Sequence, residues 1–125
     1  MPLKVLIVDD TTLVCQAMEA ILDDVGYRTR SVTSGSQALV IFEEWKPDAV
    51  LCDILMPDQD GVETIARMRA RSVGTPLVAM SGGGRTGKAQ YLDHARELGA
   101  DATIEKPVKR AELLAILDRL LNPQT

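Results

Sequence analysis

The stretch AVLCDILMPDQDG, residues 49–61, decides the fold predicted for this chain. Its first four residues form an apolar run, which predicts a buried strand that carries Asp53 to its carboxyl end. Pro57 and the Asp60-Gly61 pair then indicate that the chain turns after the strand. A carboxylate therefore stands where parallel sheets hold their ligands, outside the carboxyl end of a strand.

A second apolar run, near the amino terminus, ends in the same way. Residues 3–8 are mostly apolar and lead directly into Asp9 and Asp10. Carboxylates that lie close together repel one another unless a cation or a proton joins them. The two strand ends therefore predict a site in which Asp53 shares a cation with these two acids.

The composition indicates a single domain with an aliphatic core. The chain has 125 residues, of which 46% are hydrophobic and 3% aromatic. Its formal net charge of −4 argues against a nucleic-acid surface. No apolar run reaches the roughly 18 residues of a membrane span, and no signal peptide is visible, which predicts a cytoplasmic protein without membrane contact. Cys15 and Cys52 lack CxxC spacing and are predicted to be reduced, buried thiols.

Strands and helices are predicted to alternate along the whole chain. Strands are expected at residues 4–8, 27–33, 49–52, 76–80 and 102–105. A helix follows each strand, and the five helices end near Gly26, Lys46, Arg71, Gly99 and Asn122. Thr11 or Thr12 can cap the first helix. This alternation predicts an α/β fold, a doubly wound parallel sheet of five strands with helices on both faces.

The chemically useful side chains fall at the carboxyl ends of four strands. They are Asp9, Asp10, Asp53, Ser81 and Lys106. Two carboxylates and a carbonyl suffice for Mg²⁺, and a lysine supplies a point charge for a phosphoryl oxygen. An aspartate in this setting can act as a nucleophile, because the metal and the ammonium group offset the developing charge. Each acid alone could be a helix cap or a turn residue, but together they predict phosphoryl transfer onto Asp53.

These motifs resemble those of bacterial response-regulator receiver domains, the CheY-like family. The resemblance rests on Asp9, Asp10, Asp53, Met56, Pro57, Asp60, Gly61, Ser81, Lys106 and Pro107. It covers nearly the whole chain and implies a single receiver domain over residues 1–125. The implied fold is flavodoxin-like, with strand order 2-1-3-4-5.

The resemblance implies a two-component switch or phosphorelay protein rather than an enzyme. Asp53 would accept a phosphoryl group from a histidine kinase or a phosphotransfer protein. Mg²⁺ or Mn²⁺ would be held by Asp10, Asp53, the main-chain carbonyl of Leu55 and, through water, Asp9. Lys106 and Ser81 would contact the phosphoryl group, and Lys106-Pro107 would be a cis peptide. A downstream protein would bind the face formed by the fourth helix, fifth strand and fifth helix, with the receiver a monomer or a phosphorylation-dependent dimer.

Two positions depart from the family pattern. Thr103 stands where many receivers carry a Tyr or Phe that rotates inward, so output is expected to rely on Ser81 and the loop after it. Leu55 is apolar and cannot orient an attacking water, which predicts a long-lived phospho-Asp53. Two alternatives remain open, namely the receiver half of a longer regulator and an aspartate-nucleophile phosphohydrolase. The hydrolase would want an acid where Leu55 stands.

The glycine-rich loop at residues 82–88 fits two nucleotide-binding patterns, GxGxxG and GxxxxGK. Its context disfavours both. Ala89 follows Lys88 where a phosphate-binding loop needs Ser or Thr, and only one strand and one helix remain after it. The glycines predict instead a mobile segment that becomes ordered when Ser81 engages the phosphoryl group.

Overall fold

The computed structural model describes residues 2–54, 61–81 and 88–122, and residues 88–92 by their backbone alone. The elements in chain order are β1 Lys4–Val8, α1 Thr12–Asp24, β2 Arg28–Val32, α2 Gly35–Trp45, β3 Ala49–Asp53, α3 Gly61–Arg71, β4 Leu77–Ser81, α4 Lys88–Glu97, β5 Ala102–Glu105 and α5 Arg110–Leu121. The predicted alternation of strands and helices is confirmed.

The five strands form one parallel sheet in the order β2-β1-β3-β4-β5. This order confirms the predicted fold class. Its register brings the strand ends together, because Val8 of β1 pairs with Cys52 of β3. The residues that follow, Asp9 and Asp53, therefore lie side by side at the carboxyl edge of the sheet.

Both faces of the sheet are covered by helices, which explains why the central strands are apolar throughout rather than alternating. Successive side chains of a strand point to opposite faces. On β1, Leu6 and Val8 join the core on the α2 and α3 side, whereas Val5 and Ile7 join the core on the α1 and α5 side. Aliphatic residues dominate both cores, as the low aromatic content predicts. Both cysteines are buried thiols, as predicted.

The helix ends follow local chemistry, with one correction. The Ser34 hydroxyl accepts the main-chain N–H of Gln37 at 3.2 Å and caps α2. Thr11 is the amino-terminal cap residue of α1, as predicted, but its side chain makes no capping hydrogen bond. The Asp9 carboxylate accepts the Thr11 N–H at 2.9 Å, which forms a turn directly before the helix. Gly26 follows α1 at φ +99°, a conformation that favours glycine.

Strand β2 lies at an edge of the sheet, a position that suits its polar sequence. Among the described residues, no helix is long and apolar enough to span a membrane.

Candidate functional site

Three aspartates converge at the carboxyl edge of the sheet. Asp9 follows β1 and is fully buried, Asp53 ends β3 and is 4% exposed, and Asp10 is exposed. One carboxylate oxygen from each lies within 4.8 Å of the other two. Burial of two like charges in contact is unfavourable without a counter-charge. The three carboxylates therefore need a counter-charge, and their oxygens are close enough together for one cation to contact all three.

Lys106 supplies a positive charge from the end of β5. Its Nζ donates to the Asp53 carboxylate at 3.2 Å and makes a short hydrogen bond to the Asp9 carboxylate. Burial alone would lower the pKa of Lys106, but the hydrogen bond to Asp9 and the charges of both aspartates outweigh burial and raise it. The ammonium group thus stays charged between the two buried acids.

Ser81 occupies the last position of β4 and is fully buried. The main-chain N–H of Lys106 donates to the Ser81 carbonyl at 2.8 Å, which joins the end of β4 to the residue after β5. The main-chain N–H of Ile54 donates to the Met80 carbonyl at 2.9 Å and joins β3 to β4. The sheet edge therefore fixes the backbones of Asp53, Ser81 and Lys106 in one row.

Gly61 has a role that the sequence did not reveal. It was predicted to be part of a turn, but it is the first residue of α3. A Cβ atom at Gly61 would lie 2.0 Å from the main-chain oxygen of Asp53 and 2.4 Å from the Ile54 Cα. Only glycine lets α3 pack this closely against the backbone that presents Asp53. An Asp-Gly pair signals a turn, and nothing in the sequence distinguishes that use from close packing.

Two further predicted features can be located. The Lys106-Pro107 peptide is cis, as the family resemblance implies. Thr103 lies on β5, where its hydroxyl accepts a hydrogen bond from Arg96 Nη2 at 2.9 Å. Both residues line a cleft of about 540 Å³ on the face of α4, β5 and α5. Thr103 thus forms a polar contact with α4 at the position where many receivers carry an aromatic side chain.

Some predicted features lie outside the described residues. They are the Leu55 carbonyl, the motif residues Met56, Pro57 and Asp60, and most of the loop at 82–88. The predictions about metal coordination by Leu55 and about ordering of this loop stay predictions.

Comparison with known proteins identifies the family. The profile of the response regulator receiver domain matches residues 5–118. The chain belongs to the response regulator receiver family. Receiver domains of this family act in two-component signalling, so the function predicted from the strand-end motifs is confirmed at this level.

Relatives among characterised proteins are longer than this receiver. It is 34% identical over 114 residues to the DNA-binding response regulator MtrA of Mycolicibacterium smegmatis, covering 90% of this chain and 47% of MtrA. It is 32% identical to the transcriptional regulatory protein TrcR of Mycobacterium tuberculosis, covering 97% of this chain and 46% of TrcR. The receiver spans about half the length of the curated relatives it matches.

Solved structures agree with the fold over nearly the whole receiver. A CheY-like receiver domain protein from Methanospirillum hungatei superposes with a TM-score of 0.89 at 27% identity, covering 99% of this chain and 97% of that one. A putative response regulator from Chloroflexus aurantiacus gives 0.89 at 30% identity, with 98% and 99% coverage.

Proposed function

We propose that the receiver accepts a phosphoryl group on Asp53 and thereby switches a protein-binding surface. The observation that carries the proposal is the pairing of a 4% exposed Asp53 carboxylate with Lys106 Nζ at 3.2 Å. An Asp53 oxygen attacks phosphorus in the donor, and the bond from phosphorus to the leaving imidazole nitrogen or carboxylate oxygen breaks with its electron pair. Lys106 offsets the charge that develops on the transferring oxygens.

The carboxylates fit a hard divalent cation. Mg²⁺ and Mn²⁺ prefer oxygen ligands, and three aspartates offer oxygens within 4.8 Å of one another. We assign Asp10, Asp53 and, through water, Asp9 to this ion, with the Leu55 carbonyl as a further predicted ligand. When bound, the ion supplies positive charge that makes a phosphoryl group compatible with an acidic pocket.

A switch is favoured over a phosphohydrolase. A hydrolase of this kind would need an acid two residues after its nucleophile to act as the acid/base, and Leu55 occupies that position. For the same reason phospho-Asp53 is expected to be long-lived. A lifetime of only seconds in purified protein with Mg²⁺ would contradict this expectation.

Readout is proposed to run from Ser81 to the face of α4, β5 and α5. Ser81 would hydrogen-bond the phosphoryl group, and its carbonyl is bonded to the N–H of Lys106 at the end of β5. Converting such a surface from mostly off to mostly on requires about 5.5 kcal/mol of differential stabilisation. A phosphate with up to two negative charges beside Lys106 is a source of that energy.

The phosphoryl donor is proposed to be a histidine kinase or a phosphotransfer protein that docks on α1. Leu13 is 75% exposed beside an almost wholly apolar groove of about 230 Å³, which also reaches Lys106 and Pro107. A donor protein placed on this groove brings its phosphohistidine over Asp53. Leu13→Ser should slow transfer from such a protein about tenfold and leave the rate with acetyl phosphate unchanged, whereas equal effects on both would contradict docking here.

The second candidate is that the receiver is one part of a longer regulator. The lengths of MtrA and TrcR, of which it spans about half, favour this reading. The position of the stop codon in the gene decides between the two. A cytoplasmic location stays a prediction in either case.

The proposal is tested by incubating the purified receiver with acetyl phosphate and Mg²⁺ and measuring its intact mass. We expect the mass of one added phosphoryl group on the wild type, none on Asp53→Asn, and none when EDTA replaces Mg²⁺. An unchanged mass for the wild type would overturn the proposal.

A further inference from the structure

A cluster of cations lies at the β2 edge of the sheet, away from the aspartate site. This β2-edge cluster consists of Lys4, Arg28 and Arg30, which share the α2 face of the sheet, and two of them, Lys4 and Arg30, contact Trp45. Lys4 and Arg28 are partners in the β1-β2 register. Arg30 Cζ lies 5.2 Å and Lys4 Nζ 5.6 Å from the centre of the Trp45 ring. Both distances are those of cation–π contacts.

The cluster pairs with no carboxylate in the described part of the chain. Lys4 Nζ donates to the Trp45 carbonyl at 2.7 Å, and the nearby Asp48 carboxylate accepts the main-chain N–H of Lys4 instead. Arg28 and Arg30 are exposed. A positive patch on a chain of net charge −4 is therefore open to an anionic group from outside.

The backbone of the same edge is also open. The N–H of Arg28 donates inward to the Leu3 carbonyl at 2.9 Å. Because main-chain groups of successive strand residues point to opposite sides, those of Thr29 and Ser31 point away from the sheet. Strand β2 has no neighbour on that side, and within the described residues these main-chain groups make no hydrogen bond.

We propose that the β2 edge binds an extended acidic segment of a partner protein, with Asp or Glu at every second residue. The segment adds a strand by hydrogen-bonding Thr29 and Ser31, the general mode of peptide recognition at a sheet edge. Alternate side chains of a strand share one face. Acids two residues apart therefore stand opposite Arg28 and Arg30.

The charges of Arg28 and Arg30 also disfavour a second copy of this chain as the binding partner. Pairing β2 with another β2 would place arginines opposite arginines, which is unfavourable. Charged side chains on an edge strand also hinder pairing with neutral strands. The arginines thus select an acidic strand in two ways, by attracting its carboxylates and by disfavouring basic and neutral strands. This inference does not rest on phosphorylation of Asp53.

Trp45 is the only tryptophan, so its fluorescence reports on the cluster directly. The probe is a blocked peptide of alternating Glu and Thr, and its control has Gln in place of Glu. We expect a saturable fluorescence change with the Glu peptide, at least about tenfold tighter binding than the Gln peptide, and amide-exchange protection at Thr29 and Ser31.

The Arg28→Gln/Arg30→Gln double variant should lose at least about tenfold in affinity for the Glu peptide. The matched control, Arg110→Gln/Arg119→Gln, removes two exposed positive charges from α5 and should stay within about twofold of the wild type. Circular dichroism verifies that both variants are folded. Any of four results overturns the inference: no saturable change up to about 1 mM peptide, equal binding of the Gln peptide, equal loss in the control variant, or tighter binding of duplex DNA.

Discussion

At the scale of single residues, the site is a balance between three acids and one lysine. Asp9 and Asp53 are buried and both bond to Lys106, whereas Asp10 is exposed and has no hydrogen bond to that lysine. Without a metal ion, the three carboxylates exceed the positive charge of Lys106 by two. Sites of this kind are held at a cost in stability, which the rest of the fold must offset.

Replacing Asp10 by Asn is expected to stabilise the metal-free receiver. Removing one of three carboxylates within 4.8 Å relieves like-charge repulsion, so the free energy of unfolding in EDTA should rise by about 1 kcal/mol. The wild type should gain stability when Mg²⁺ is added, because a ligand that binds only the native state stabilises it, and Asp10→Asn should lose most of that gain. Urea denaturation with and without Mg²⁺ measures both effects.

Glu44→Gln removes an exposed carboxylate on α2 and serves as the control. It should leave the Mg²⁺-dependent gain unchanged. A metal-free Asp10→Asn that is less stable than the wild type would contradict the assignment of Asp10.

The strand-end motifs were enough to predict which acids lie together at the edge of the sheet. Apolar runs that end in Asp9 and Asp53 place both at one edge of a parallel sheet, and only the sheet order was needed to make them neighbours. The missing side-chain hydrogen bond at the Thr11 cap was not predictable in this way. Thr11 stands at the cap position, but side-chain placement decides whether its hydroxyl bonds to a helix N–H, and the sequence does not fix that placement.

At the scale of elements, α3 packs directly against the backbone that carries Asp53. Gly61→Ala would push a Cβ atom into the main-chain oxygen of Asp53. We expect a loss of about 3 kcal/mol in the free energy of unfolding, together with slower phosphorylation because Asp53 is displaced. Gly74→Ala is the matched control, since a Cβ atom there meets nothing within 4 Å, and it should change stability by less than about 0.5 kcal/mol. Equal effects of the two substitutions would refute the close-packing role.

Arg69 bonds the carboxyl-terminal end of α3 to the loops that precede β4 and β5. Its guanidinium donates to the carbonyls of Ser72, Val73, Thr75 and Gly99 and forms an ion pair with Asp101. Basic residues near the carboxyl end of α3, among them Arg69 and Arg71, all interact favourably with the helix dipole. The sequence could not single out Arg69, because its partners lie in two loops, one directly after α3 and one containing Gly99 and Asp101, that only the fold brings together.

Arg69→Ala should destabilise the receiver by about 2 kcal/mol, since it leaves several carbonyls without a donor. Arg69→Lys should recover little of this, because an ammonium group cannot reach carbonyls in so many directions. Arg67→Ala, which breaks an exposed pair with Glu63, should cost about 0.5 kcal/mol or less. Thermal and urea unfolding give the values, and a cost at Arg69 no greater than at Arg67 would contradict this role.

At the scale of the whole molecule, stability is expected to fall on the alkaline side. Burial, and then the charge of Asp118, raise the pKa of Tyr27 above its ordinary value of 10.0. The unfolded chain therefore releases this proton at a lower pH than the native protein, so the free energy of unfolding decreases as pH rises through 10.0 and the native pKa above it. Urea midpoints measured from about pH 8 upward should fall less steeply for Tyr27→Phe, and parallel curves would show that Tyr27 is not responsible.

The central claim is that Asp53 is the phosphoryl acceptor, and trapping the phosphorylated residue tests it most directly. Borohydride reduces an acyl phosphate to an alcohol, so phospho-Asp53 becomes homoserine, which peptide mass mapping locates. After treatment with acetyl phosphate and Mg²⁺, we predict homoserine at position 53 alone, and none when the phosphoryl donor is omitted. Homoserine at position 9 or 10, or a stable phosphate on Ser81, would contradict the account.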